Sequence, residues 1–113
     1  MDVKVILLIM AMELNTGDVY ILGNRAEHVL EVGQNLEDVL KKLFSDNVGL
    51  HPNWALFSLL YNDFINNEFN AYYHVQIGLT DPIKLTNSWI QANCGHELVY
   101  PQEILNKAVQ KTW

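Results

Sequence analysis

Cations are scarce in this chain: seven lysines and arginines stand against thirteen acids, a formal net charge of −6. Beyond Lys41-Lys42 they form no patch, which argues against direct recognition of a nucleic-acid backbone, since phosphate contacts need grouped Lys and Arg. An acidic surface keeps a small protein soluble and can draw in a basic partner. Cysteine is nearly absent: Cys94 stands alone, so no internal disulfide forms, as suits the reducing cytoplasm. Linkers, internal repeats and low-complexity tracts are missing, so residues 1–113 are expected to form a single domain. The apolar run Val5–Met12 follows Lys4 as in a signal peptide. It lacks a small-x-small cleavage site, however, and ends at Glu13 after too few residues to cross a bilayer, so it reads as a buried strand and no membrane role is expected. The chain also lacks a glycine-rich phosphate loop and any serine, histidine and acid spacing that would mark nucleophilic catalysis. Its histidines, at 28, 51, 74 and 96, lack close metal-ligand spacing. Cys94, His96 and Glu97 form the one local cluster of mixed ligand types, and a two-residue gap in a loop is common by chance.

Apolar residues are plentiful, at half of the chain, and their spacing sets the expected elements. Leu36, Val39, Leu40, Leu43 and Phe44 recur at intervals of three and four, which puts them on one side of a helix. Glu37, Asp38, Lys41, Lys42 and Ser45 take the other side, and Glu37 with Lys41 and Asp38 with Lys42 are acid-before-base pairs four apart. Asn35 suits an N-cap and Gly49 a C-terminal stop, so a helix is expected from about Asn35 to Val48. Before it, Val3–Met12 and Val19–Leu22 around Asn15-Thr16-Gly17-Asp18 read as a hairpin whose first strand is buried on both faces. After it, Trp54–Tyr61 and Phe69–Leu79 read as two more strands, with Asn62-Asp63 and Asn66-Asn67 as the polar turn between them. An irregular stretch containing Trp89 then leads to a last helix from about Pro101 to Lys111, with Ile104, Leu105, Ala108 and Val109 as its buried stripe. The expected class is α+β.

The segment Gly33 to Leu50 resembles the signature box of the Nudix hydrolase family. That box begins with a glycine, opens its helix with Gly-Glu, continues Arg-Glu-aliphatic-any-Glu-Glu and closes Gly-aliphatic. Laid without gaps on this chain, the opening glycine falls on His28, the Gly-Glu pair on Gly33-Gln34, the Arg-Glu-aliphatic triplet on Lys42-Leu43-Phe44, the two adjacent glutamates on Asp46 and Asn47, and the closing pair on Gly49-Leu50. The order of elements is also similar to the Nudix fold, a mixed β-sheet flanked by helices, and Trp89 with Glu97-Leu98 and a C-terminal helix resembles that family's usual ending.

The resemblance implies that the frame is kept and the chemistry largely lost. Family members hold Mg²⁺ with helix glutamates against a pyrophosphate, because this hard ion takes oxygen ligands and neutralises charge during attack by water. Here the three matching positions offer one carboxylate (Asp46), one amide (Asn47) and one hydrocarbon (Leu43). Lys42 keeps the charge of the family's arginine without its rigid fork. A catalytically degenerate domain acting by binding is therefore expected, with no metal and no cofactor. Its partner would be a protein, such as a larger enzyme that it inhibits or modulates, or else a nucleotide-like ligand touching Tyr72, Tyr73, Trp89 and Lys42. Tyr72 and Tyr73 point to opposite sheet faces, so at most one can line a given pocket. The alternative is a Mg²⁺- or Mn²⁺-dependent hydrolase of a nucleoside diphosphate derivative, with Asp46 (and Asn47) at the metal, Glu31, Glu13 or Glu97 as substitute ligands, and Glu97 as base. A third possibility is an unrelated small α+β interaction domain. A homodimer through an exposed first strand or the final helix is also compatible with the sequence.

Overall fold

The computed structural model of the chain describes residues 2–13, 15–23, 25–49, 56–79, 89–91 and Ile104. Six strands and a helix follow in the order β1 (Asp2–Glu13), β2 (Val19–Leu22), β3 (Ala26–Leu30), α1 (Leu36–Val48), β4 (Ser58–Ile65), β5 (Glu68–Leu79) and β6 (Trp89–Gln91). One mixed sheet holds all six strands in the order β4-β5-β1-β2-β6, with β3 also paired to β1.

β1 organises the rest. It runs parallel to β5 over all twelve of its residues, from Asp2 opposite Glu68 to Glu13 opposite Leu79. Its other edge is shared, antiparallel, by β3 (Val3–Leu7) and β2 (Met10–Met12). Successive strand side chains point to opposite faces, so β1 feeds two cores. Val5, Leu7, Ile9 and Ala11 join Val75, Ile77 and the α1 residues Val39, Leu40, Phe44 and Val48 on one face. Ile6, Leu8 and Met10 join Ile21, Leu60, Tyr72 and Ile104 on the other. This two-sided burial is why β1 lacks the polar alternation of a half-exposed strand, as its sequence predicts. Ile104 is helical and buried, as expected; the rest of the predicted C-terminal helix lies outside the described residues, as does Trp54.

Turn chemistry closes both hairpins. At the β1–β2 turn Gly17 adopts φ +76°, and hydrogen bonds run from Glu13 N to Asp18 O and from Gly17 N to Glu13 O. At the β4–β5 turn Asn66 and Asn67 both take positive φ, 56° and 63°, the backbone of the two-residue turn that matches strand twist and that asparagine tolerates.

Four expectations need correction. β4 begins at Ser58 rather than Trp54 and continues through Asn62 and Asp63 to Ile65, so these polar residues are strand, not turn. The reason is pairing: Asp63 lies opposite Asn70, whose amide donates to its carboxylate at 2.9 Å, and Asn62 is exposed. A bulge between Leu59 and Tyr61 lets Leu60 and Tyr61 both pack against the Ile6–Leu8–Met10 core, which breaks the strand's period in sequence. β3 was not anticipated because its alternating Ala-Glu-His-Val-Leu is short and follows β2 closely, and Trp89 sits in strand β6 rather than in irregular chain. The first strand is central and buried, not exposed, and so is closed to dimerisation.

Cutting Ile9 to alanine removes three side-chain carbons from the packing beneath α1 and is expected to cost about 2–5 kcal/mol. Denaturant unfolding measures this, with the solvent-exposed Val32→Ala expected to change stability by less than about 0.5 kcal/mol as the control.

Candidate active-site cleft

The loop between β3 and α1 is fixed by its own side chains. Gly33 takes φ +87°, and the turn closes with Gln34 N donating to Glu31 O at 3.1 Å. Gln34 Oε1 accepts from Glu31 N at 2.8 Å and lies 3.0 Å from His28 Nε2. An amide oxygen only accepts, so the contact places the proton of the imidazole on Nε2. The residues at the opening glycine and first glutamate of the box thus meet each other, and together they bind the loop back to β3. Asn35 then caps α1, its Oδ1 accepting from Glu37 N (2.9 Å) and Asp38 N (3.3 Å). Gly49 ends the helix in the left-handed region at φ 78°, donating to Ser45 O. Both caps and the Glu37–Lys41 ion pair, at 3.4 Å, fall where the sequence places them. The expected Asp38–Lys42 pair does not form: among the described residues no ion pair joins them.

Between β3 and α1 an open cleft of about 580 Å³ brings together six of the ten box positions: His28, Gly33, Gln34, Lys42, Leu43 and Asp46. Asp38 and Val39 of the helix line it too, with Asn35 and Glu27. Asp38 is a site residue not anticipated from the box, although its spacing signals it: Asp38, Lys42 and Asp46 are four apart and so share a helix face. Phe44 is buried in the core, edge-on to Phe57. Leu50 and Glu97 lie outside the described residues. Of the other carboxylates considered as substitute ligands, Glu31 and Glu13 are not among the residues lining the cleft.

Leu43 straddles cleft and core: it is half-buried and packs against the helix-side cluster. Asn47 is half-buried one turn later, and its Nδ2 donates to Leu43 O at 2.8 Å, turning the amide back onto its own helix. Asp46 is the carboxylate left of the three box positions. Asp38 and Asp46 are separated by about 12 Å along the axis at 1.5 Å per residue, too far to share one small ion. Among the described residues no group of three or more His, Cys, Asp or Glu is placed to hold a metal. Mg²⁺ asks for a near-octahedral set of oxygens, and this donor set does not fit it.

The sequence matches no protein-family model and no curated protein. Solved structures are more informative. The chain superposes on a mutT/nudix family protein from Listeria innocua with a TM-score of 0.70, at 7% identity, covering 96% of this chain and 92% of that one. This chain has the Nudix fold. A C. elegans Ap4A hydrolase gives 0.68 at 8% identity, covering 96% of each chain. The C-terminal domain of mouse MUTYH, solved in complex with human PCNA, gives 0.68 at 9% identity over 97% of this chain and 88% of that one. Within this fold α1 packs beside β3 with the cleft between them.

The four residues considered for a nucleotide-like ligand are scattered in this Nudix fold. Lys42 lines the cleft. Tyr73 and Trp89 are half-buried against the helix-side core. Tyr72 is buried on the opposite face, tilted against Tyr61. That face also carries Arg25. Its partial burial works against the charge, but the hydrogen bond and charge of Glu27, with a smaller contribution from Tyr72, outweigh this and raise the guanidinium pKa above its ordinary value.

Removing the Gln34 acceptor tests the loop. Gln34→Ala is expected to lower stability by about 1 kcal/mol, in line with the net worth of hydrogen bonds at a partly exposed site, and to change the imidazole chemical shifts of His28 in NMR spectra while leaving the core resonances in place.

Proposed function

We propose that this chain is a Nudix-fold domain that works by binding rather than by hydrolysis, with a protein as its partner and a regulatory or inhibitory role. One observation carries the reading. Leu43 occupies a metal-ligand position of the box and is committed to the core, while Asn47 at the next is bonded to its own helix. Hydrocarbon cannot coordinate a cation, and without a cation a cleft bearing Asp38 and Asp46 beside a single Lys42 repels a pyrophosphate more than it attracts it. What the cleft offers instead is an apolar floor of Val39 and Leu43 with polar groups at its rim, the usual composition of a recognition site. The structural likeness to a MUTYH domain solved with PCNA supports a protein partner in one respect: that domain of the same fold was captured in a protein complex. A cytoplasmic setting is consistent with the unpaired Cys94, and no helix among the described residues is long and apolar enough to cross a membrane.

Metal chemistry separates this reading from hydrolysis. The wild-type protein is expected to release neither phosphate nor nucleoside monophosphate from nucleoside diphosphate derivatives in a Mg²⁺ or Mn²⁺ titration. The double variant Leu43→Glu/Asn47→Glu is expected to gain Mn²⁺ affinity, read by electron paramagnetic resonance or calorimetry. Robust wild-type turnover that disappears in Asp46→Ala would overturn the proposal. Affinity capture from the native host with mass spectrometry is expected to retrieve a protein that Lys42→Glu and Leu43→Glu fail to retain.

A further inference from the structure

Three charged side chains stand on the α1 wall of the cleft at intervals of four residues: Asp38, Lys42 and Asp46. All three are exposed, and among the described residues none of their side chains takes part in a hydrogen bond or an ion pair. The contrast lies one residue away on the same helix, where Glu37 and Lys41 have the same spacing and do pair, at 3.4 Å. Aspartate is a methylene shorter than glutamate, so its carboxylate stays nearer its own backbone. Glu27, the remaining acid at the cleft, is held by Arg25. The α1 wall therefore reads negative, positive, negative, in steps of about 6 Å along the axis. Beneath it lies the apolar floor of Val39 and Leu43.

We infer that the cleft takes an extended segment of its protein partner in which a cation, an anion and a second cation occupy alternate positions. Arg or Lys faces Asp38, Asp or Glu faces Lys42, and Arg or Lys faces Asp46. The inference rests on the binding reading above and adds to it the chemistry of the occupant. Spacing selects extended chain: alternate residues of a strand face one way about 6.5 Å apart, so five residues carry three facing side chains over about 13 Å. The wall from Asp38 to Asp46 measures about 12 Å. A docked helix, about 10 Å across, is bulkier than a cleft of about 580 Å³ suits, whereas that volume is in the range that holds a small ligand or a short peptide. The row reads the same from either end, so the segment can run in either direction. Arg and Lys fit the outer positions for a second reason, since their aliphatic stems can lie on Val39 and Leu43 while the charged heads stay at the rim. Exposed pairs are individually weak, so the order of the charges, more than their sum, sets specificity, and like charges brought face to face reject other segments. Added salt weakens the attraction.

Titration of the metal-free chain with synthetic peptides, followed by the amide resonances of α1 in NMR spectra, tests this. The peptides are Ser-Arg-Ser-Glu-Ser-Arg-Ser, with alternating charges, and Ser-Ser-Arg-Arg-Glu-Ser-Ser, of the same composition and net charge, both capped at their ends to remove terminal charge. The alternating peptide is expected to shift the amides around Asp38, Lys42 and Asp46 at millimolar concentration or below, to bind about tenfold more tightly than the reordered one, and to be released by salt. The charge-reversed variant Asp38→Lys/Lys42→Glu/Asp46→Lys, altered only at exposed positions, is expected to prefer Ser-Glu-Ser-Arg-Ser-Glu-Ser instead. Asp46→Asn, isosteric and far from the helix start, is expected to weaken the alternating peptide alone, and it supplies the comparison should the triple variant fail to fold by circular dichroism. Absence of shifts in α1, equal binding of the two peptides of like composition, binding that salt strengthens, or a preference unchanged in the variants would each overturn the inference. Nucleotide turnover in the metal titration would overturn the binding reading beneath it and leave these peptide shifts unaltered, so the two failures are told apart.

Discussion

The long parallel pairing of β1 with β5 is the constraint on which the molecule rests. A strand between two neighbours, with a helix-side core on one face and a second core on the other, has no solvent side and so needs apolar residues at consecutive positions. Val5 to Ala11 supply them without interruption and are wholly buried. A shift of one residue in register would exchange the two faces of β1. Val5, Leu7 and Ile9 would then face Tyr72 and Leu60 in place of Phe44 and Val48. Because β3 is held to the same strand, register on β1 also sets where His28 stands and therefore where the β3–α1 loop begins.

From that loop the site follows by short-range chemistry. Gly33 permits the turn, Gln34 binds it back to His28, and Asn35 aims the first turn of α1. In the hydrolases that this box resembles, the corresponding geometry serves a metal. In this chain the same scaffold delivers Asp38, Lys42 and Asp46 at intervals of one turn along a cleft wall, an alternation of charge with no pair formed. The frame is a folding device in its own right: the N-cap is worth about 1 kcal/mol to the helix whether or not an ion is held beside it.

The sequence made some of this legible and hid the rest for identifiable reasons. Helix α1 was visible end to end, since its stripe, its caps and the Glu37–Lys41 pair are all local and all agree. The strands β1 and β5 were visible as long runs rich in apolar and aromatic residues. β3 and β6 were not, because strands of five and three residues carry almost no periodic signal and are specified by the strands they join. β4 was misplaced because a bulge breaks its alternation and because Asp63, a turn-former by propensity, is satisfied across the ladder by Asn70 seven residues away, while Asn62 beside it is exposed. In the cleft, the box positions led to six of the lining residues, and Asp38 is marked by the four-residue spacing it shares with Lys42 and Asp46, whereas Glu27 lines the cleft only through the packing of α1 on β3, which no spacing in the sequence records.

The position of Leu43 explains why the binding reading and the stability of the fold point the same way. On α1 the core-facing stripe and the cleft-facing stripe are neighbours, and Leu43 with Val39 sits on their shared border. A glutamate there would have its stem against the helix-side cluster and its carboxylate at the cleft, an arrangement that a bound cation would favour and that, without one, leaves a charge partly desolvated. Leucine removes that cost and adds burial, about 1 kcal/mol for a half-buried side chain. On the proposed binding reading, with no ion to hold, packing alone favours the hydrocarbon, and Asn47, beside the same stripe, is stabilised by bonding inward to the Leu43 carbonyl rather than reaching outward. On that reading both residues make α1 a better wall and a poorer ligand set, so introducing metal affinity at these positions has to work against the packing that holds the helix to the sheet.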